Sequence, residues 1–274
     1  MGIVADAIDE FVLADQDEKM RGHLGYSSIG EDCARKLWYS FRWATKPEHP
    51  AATLRLFERG HLEEDRFVRW LRGAGVLVYQ NDPETNKQFR FSGYKGHVGG
   101  EIDGVGAGLI SGQPYLLEFK THGEKSFKDL VANGVEFSKP MHYVQMQMYM
   151  GQYSFSKGLY LAIDKNSDKL YDEVLEFNPA VYEKYLKRAQ MIVDAPEPPP
   201  KLSTNPSWFE CKWCDHHSVC HLKEAPLRNC RTCAHSTPVE NGKWKCECPE
   251  NEVAEISVYV IEKGCFRYHQ HPME

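Results

Sequence analysis

The stretch EIDGVGAGLISGQPYLLEFK, Glu101 to Lys120, decides the fold. A glycine-rich apolar run, the segment Ser111-Gly112-Gln113-Pro114 and a second apolar run make the pattern of a β-hairpin. Side chains alternate faces along a strand, so Glu118 and Lys120 share one face while Leu117 and Phe119 point into a core. With the turn closing on Gly112 and Gln113, position 107 stands opposite 118, and parity puts Asp103 on the face of Glu118 and Lys120. Two acids and a lysine converge on one side of a sheet.

Adjacent carboxylates repel, and only one of them ionises easily. A divalent cation removes the conflict, because Mg²⁺ takes hard oxygen ligands: one or two carboxylates, with water and a substrate phosphate. The lysine beside it can orient or deprotonate a water, or offset charge developing on phosphorus. The outline is phosphodiester hydrolysis. A D…ExK spacing also arises by chance in ordinary hairpins, so the rest of the chain must carry its share.

Upstream, Thr53 to Gly75 has helical spacing. Phe57, Gly60, Glu64, Phe67 and Leu71 form one stripe toward the core, with Glu63 and Asp65 turned away. An acid on an apolar stripe needs a partner; a metal shared with the hairpin is one and a salt bridge to an arginine the other. Val76 to Gln80, Lys87 to Gly93 and His97 to Gly99 read as short strands, with His97 a candidate substrate contact or a structural histidine. Downstream, Thr121 to Lys128 reads as a polar, partly basic loop suited to a DNA backbone. Pro140 to Tyr153 is helical, with His142, Gln145 and Tyr149 on one stripe, where Gln145 and Tyr149 suit a phosphate or the hairpin lysine. Strands at Gly158 to Asp164 and Lys169 to Phe177 and a helix at Pro179 to Val193 complete an α/β core. Ala195 to Pro200 reads as a stiff polyproline linker that closes the main domain.

Everything beyond the linker is dominated by cysteine. The 274 residues are 42% hydrophobic and 26% charged, which is the balance of a soluble globular chain. No apolar run approaches membrane-spanning length and the N-terminus lacks the basic start of a signal peptide, so a reducing cytoplasm is expected, without membrane. Nine cysteines in that compartment point to metal rather than disulfides. Cys211-x-x-Cys214 and Cys220 supply three thiolates, and Cys33, in the first turn of a helix near the N-terminus, is the candidate fourth; four cysteines suit zinc and iron–sulfur chemistry alike. Cys230-x-x-Cys233, then Cys246 or Cys248, then Cys265, read as a small zinc ribbon, with His235, His269 and His271 as possible substitutes. A net charge of −6 argues against broad adhesion to nucleic acid and leaves a local basic groove open.

The ordered set Cys33, Glu64, Asp103, Glu118-x-Lys120, Gln145-x-x-x-Tyr149 and Cys211-x-x-Cys214-x5-Cys220 resembles the iron–sulfur branch of the PD-(D/E)xK nucleases, the RecB-like exonucleases, over about residues 24 to 222. The resemblance implies a restriction-endonuclease-like α/β core, a central mixed sheet flanked by helices, with a cysteine-rich C-terminal extension. It implies a nuclease core over 1–194, an iron–sulfur closing segment over 195–225 and a zinc-ribbon-like subdomain over 226–274. It further implies Mg²⁺ or Mn²⁺ catalysis, a [4Fe–4S] cluster at Cys33, Cys211, Cys214 and Cys220, and DNA ends or single strands as substrate, with recombination or replication proteins as partners. Asp103 and Glu118 would bind the divalent ion, Glu64 complete its shell, Lys120 act on the nucleophilic water, and Gln145 and Tyr149 organise substrate. The Gly60-His61-Leu62-Glu63-Glu64 segment is similar to that of phage recombination exonucleases, and His61 is an alternative helix ligand. The zinc-ribbon-like tail, with Zn²⁺ at Cys230, Cys233, Cys246 and Cys265, departs from the standard family and is similar to phage-encoded members. The rival reading is a non-cleaving DNA-binding or scaffold protein that keeps fold and clusters.

Overall fold

The structure is a computed structural model describing residues 2–16, 19–250 and 252–273. The chain forms two compact units that are not consecutive in sequence. One takes in the N-terminal helix, His49–Phe91 and Gly100–Glu183; the other takes in Lys19–Glu48, Ser92–Gly99 and the chain from Lys184 onward. This grouping runs across the sequential boundary expected near residue 194.

The first unit is built on a five-stranded mixed sheet. Its strands are β2 (Leu77–Tyr79), β5 (Gly104–Gly108), β6 (Ser111–His122), β7 (Lys157–Asp164) and β8 (Leu170–Glu176), in that spatial order. All neighbours are antiparallel except β6 and β7, which run parallel. A parallel pair needs a crossover, and α4 (Glu124–Ser138) with α5 (Pro140–Tyr153) supplies it. Helix α1 (Ile3–Ala14) accompanies α3 (Ala51–Gly73), and strand β3 (Arg90–Gly93) precedes β4 (Val98–Glu101). Phe67, Val68 and Leu71 of α3 pack with Leu117, Phe119, Leu159 and Leu161 on one face of the sheet, where the Phe67 and Phe119 rings stack at 5.1 Å. The alternating residues Glu118, Lys120 and Tyr160 occupy the other face, toward α5. The expected central mixed sheet flanked by helices, with a cysteine-rich C-terminal extension, is what the chain adopts.

The hairpin differs in detail from its sequence pattern. The turn lies at Leu109–Ile110 rather than at Gly112–Gln113, because Gly108 and Leu109 take the left-handed backbone (φ 80° and 54°) and β6 starts at Ser111. Gly104 pairs with Leu117 and Val105 with Leu116, a register that stands position 103 across from 118. Moving the turn by three residues along each strand partner, with a bulge between Gly106 and Gly108, leaves the parity of the faces unchanged. The segment expected as a basic loop is regular structure: Thr121 and His122 pair with Ile163 and Asp164, and α4 begins at Glu124.

In the second unit, β1 (Leu24–Gly25) pairs in parallel with Val98 and Gly99 of β4. Helix α2 (Ala34–Phe41) buries Leu37, Trp38, Tyr39 and Phe41. Helix α6 (Pro179–Asp194) brings the chain into this unit, followed by the short helices α7 (Phe209–Lys212) and α8 (His217–His221). The antiparallel hairpin of β9 (Ser236–Pro238) and β10 (Trp244–Cys246), then α9 (Val258–Lys263), complete it. The proline-rich stretch is pinned rather than free: Trp38 Nε1 donates to the Ala195 carbonyl at 3.0 Å and Arg35 Nε to that of Pro199 at 2.5 Å. Among the described residues no helix is long and apolar enough to cross a membrane.

Candidate active site

The site grows from β6. Glu118 is wholly buried, and its Oε1 accepts from Lys120 Nζ and, at 2.7 Å, from Gln145 Nε2. Its Oε2 is buried with no hydrogen-bond partner. Gln145 therefore holds the acid rather than the lysine that the helical stripe suggested. Asp103, on the loop between β4 and β5, is fastened by the backbone: its Oδ2 accepts from Phe119 N at 2.7 Å. Gly104 beside it has no room for a Cβ, which would lie 2.9 Å from the Tyr79 carbonyl. That glycine lets β2 approach and fixes where Asp103 stands.

Glu118, Lys120 and Glu64 each feel the charge of Asp103. Burial pushes the Glu118 carboxyl up to about 7; Lys120 pulls it down, while Asp103 and Glu64 push it further up. Burial alone would lower the Lys120 ammonium, yet Glu118, Asp103 and Glu64 together hold it above its ordinary value, so it stays protonated. Glu64 is raised by burial and then by Asp103, against the pull of His61 and Lys120. It is half-exposed and faces His61 Nδ1 at 3.3 Å. Glu63, expected to turn away, is instead the buried acid of α3 and forms an ion pair with Arg66 at 2.7 Å. Phe67 and Leu71 are buried as the stripe predicts, together with Val68, but Phe57 is half exposed and Glu63 takes the buried place expected for Glu64.

Tyr149 is buried, and its hydroxyl lies against Gly100, where a Cβ would approach within 2.2 Å. His61 is largely exposed. His97, a candidate substrate contact, is wholly buried in the second unit. Its Nε2 bonds the carbonyls of Val239 (2.9 Å) and Lys243 (3.0 Å), and burial drives its pKa down to about 4, so it serves as a structural link. Three residues of the first unit join this face without a sequence signal for their meeting: His122, Tyr160 and His142. The Tyr160 hydroxyl lies 2.8 Å from His122 Nε2 and 2.8 Å from His142 Nδ1. His122 was legible only through period-two spacing from Lys120; Tyr160 reaches Glu118 through strand register alone.

All nine cysteines are unbridged thiols. Cys33 is the N-cap of α2, its sulfur accepting from Lys36 N at 3.4 Å. Cys33, Cys211, Cys214 and Cys220 line one cavity of about 210 Å³ with Lys36 and Lys201. Burial raises the thiols of Cys211, Cys214 and Cys220, and Cys33 adds to each. Farther along the same unit, Cys230 is pushed up to about 12 by burial and then by Cys265, Cys233 and Cys246. Among the described residues, no three or more His, Cys, Asp or Glu side chains are grouped so that they could hold a metal ion.

No protein-family model matches the chain, and no curated protein sequence matches it. Fourteen chains of solved structures are similar to this one, among them the following three. SSO0001 aligns at 15% identity and TM-score 0.47 over 82% of this chain and 98% of its own. The alkaline exonuclease LHK-Exo from Laribacter hongkongensis aligns at 16% identity and TM-score 0.45 over 67% of this chain and 90% of its own. LHK-Exo in complex with dAMP aligns at 15% identity and TM-score 0.43 over 68% and 90%.

Proposed function

We propose that this chain is a divalent-metal-dependent DNA nuclease of the exonuclease class, acting on ends or single strands in recombination, repair or phage DNA metabolism. The observation that carries the reading is Glu118, a fully buried carboxylate with one oxygen doubly bonded to donors and the other without any, in the shared field of Asp103, Glu64 and Lys120. A buried acceptor left unmade costs about 1–3 kcal/mol, and a hard cation is the partner whose chemistry matches clustered carboxylate oxygens. Glu118, Asp103 and Glu64 are the residues to hold Mg²⁺ or Mn²⁺, which when bound supplies Lewis-acid polarisation of the scissile phosphate and a more acidic water.

The chain's own groups do the rest. Lys120, kept protonated by the acids around it, donates to Glu118 Oε1 and offers its charge to the phosphate. Gln145 fixes the rotamer of Glu118 so that Oε2 stays free. Tyr149 packs its hydroxyl against Gly100 of β4. Cys33, Cys211, Cys214 and Cys220 would hold a [4Fe–4S] cluster, and Lys36 and Lys201, which line the same cavity, would offset its negative charge. Cys230, Cys233, Cys246 and Cys265 would hold Zn²⁺, and buried Arg42, which feels the charge of Cys233, would offset part of the negative charge of four thiolates.

The test is digestion of end-labelled linear and closed circular DNA with and without Mn²⁺. Metal-dependent loss of linear DNA with the circle spared is expected, and Lys120→Ala should slow it by roughly 10² or more. Cutting by Lys120→Ala at the wild-type rate would overturn the assignment. Binding of DNA with no cleavage of any form would favour the non-cleaving reading.

A further inference from the structure

The proposed nuclease site leaves one polar chain unused. His122 stands two residues beyond Lys120 on the same face of β6, Tyr160 lies across from Glu118 on β7, and His142 lies one helical turn before Gln145 on α5. The Tyr160 hydroxyl, itself wholly buried, bridges the two rings at 2.8 Å each, and Ser126 Oγ lies 3.3 Å from His122 Nδ1. A hydroxyl has one proton to give. Tyr160 therefore donates to one histidine and accepts from the other, and the two neutral rings must take complementary roles.

With the Ser126 hydroxyl donating to His122 Nδ1, His122 carries its proton on Nε2 and gives it to the Tyr160 oxygen. Tyr160 then donates to His142 Nδ1, which leaves the His142 proton on Nε2. Among the described residues nothing engages that Nε2, whereas Lys120 lies close enough for its charge to be felt by the ring. Burial keeps both rings neutral, His142 at about 3 and His122 at about 4.

We propose that His142 is a substrate-contacting residue, a neutral Nε2–H donor to a phosphate oxygen of the bound nucleic acid strand, and that Tyr160 and His122 are positioning residues that set its tautomer. The inference rests on the nuclease reading and adds a phosphate donor beside Lys120. An unprotonated lone pair at this position would repel a phosphate; the relay through Tyr160 is what prevents it. Because the ring stays neutral, it donates without adding a second cation next to Lys120.

The experiment uses the full-length protein and a 5′-phosphorylated, end-labelled single strand with Mn²⁺. His142→Leu is expected to lower kcat/KM by roughly 10- to 100-fold, the range of a hydrogen bond to a charged group. His142→Gln, which places an N–H near the same point, should recover most of the loss, and Tyr160→Phe should fall between them. Melting curves of each variant separate this loss from misfolding. Long-range ¹H–¹⁵N correlation spectra of the wild type should show His142 neutral with its proton on Nε2. A proton on Nδ1, or His142→Leu cutting within about twofold of wild type, would overturn the inference while leaving the nuclease reading intact. A wild-type protein that cuts no DNA while Lys120→Ala behaves identically would bring down the nuclease reading itself.

Discussion

Glu118 has no exposed surface, and at that depth the loss of hydration outweighs the attraction of Lys120, so the carboxyl stays protonated up to about 7. Its folded pKa lies above the ordinary 4.5, so the folded chain keeps a proton that the unfolded chain has released between those values. The stability Glu118 contributes is fully present below its unfolded value and is lost as pH rises through about 7. A cation needs the ionised form and competes with that proton. The rise in melting temperature on adding Mn²⁺ should therefore be larger near about pH 8 than near about pH 6, and Glu118→Gln should abolish it. A Gln variant that gains as much from Mn²⁺ as the wild type would remove Glu118 from the ligand set. At this scale the hairpin acids and lysine were legible in the spacing of Asp103, Glu118 and Lys120. Glu63 was not, since helical spacing alone cannot distinguish a stripe from its neighbour one residue away when Phe57 is left exposed.

At the scale of the elements, α5 rides over β6 and meets the close approach of β4 at Gly100. A Cβ there would lie 2.2 Å from the Tyr149 hydroxyl and 3.1 Å from the ring carbon that bears it. Gly100→Ala should cost about 1–3 kcal/mol, the usual penalty for overpacking. Adding Tyr149→Phe, which removes the clashing oxygen, should recover part of that in a double-mutant cycle by denaturant titration. Strictly additive costs would show that the hydroxyl is not what Gly100 accommodates. The helix of Pro140–Tyr153 was readable from its spacing and its N1 proline. The turn of the hairpin was not, because the Ser-Gly-Gln-Pro signal lost to Gly108 and to the long pairing of β6 with β7. The error was harmless to the site: the sum of paired positions stayed odd, so Asp103 and Glu118 kept a common face.

Over the whole molecule, chain order and spatial grouping part company. Cys33, from near the N-terminus, lines the cavity of Cys211, Cys214 and Cys220, and all four belong to the second unit. With the proposed cluster, protein purified without oxygen should be brown, and Cys33→Ser is expected to lower its iron content and bleach that colour. It should also raise amide exchange across Lys19–Glu48 and the region after Lys184, because a metal bound only by the folded state stabilises the elements that hold it. Full iron content in that variant would dismiss Cys33 as the fourth ligand. Periodicity, the D…ExK spacing and the paired cysteines were enough to announce an α/β sheet with converging acids and a thiol-rich tail, because those signals repeat within a few residues. The interleaved units, the partner of Gln145, the burial of Glu63 and the meeting of His122, Tyr160 and His142 emerged only on folding. Each depends on which distant strands and helices come into register, and a contact across the sheet leaves no mark on the spacing of either segment that makes it.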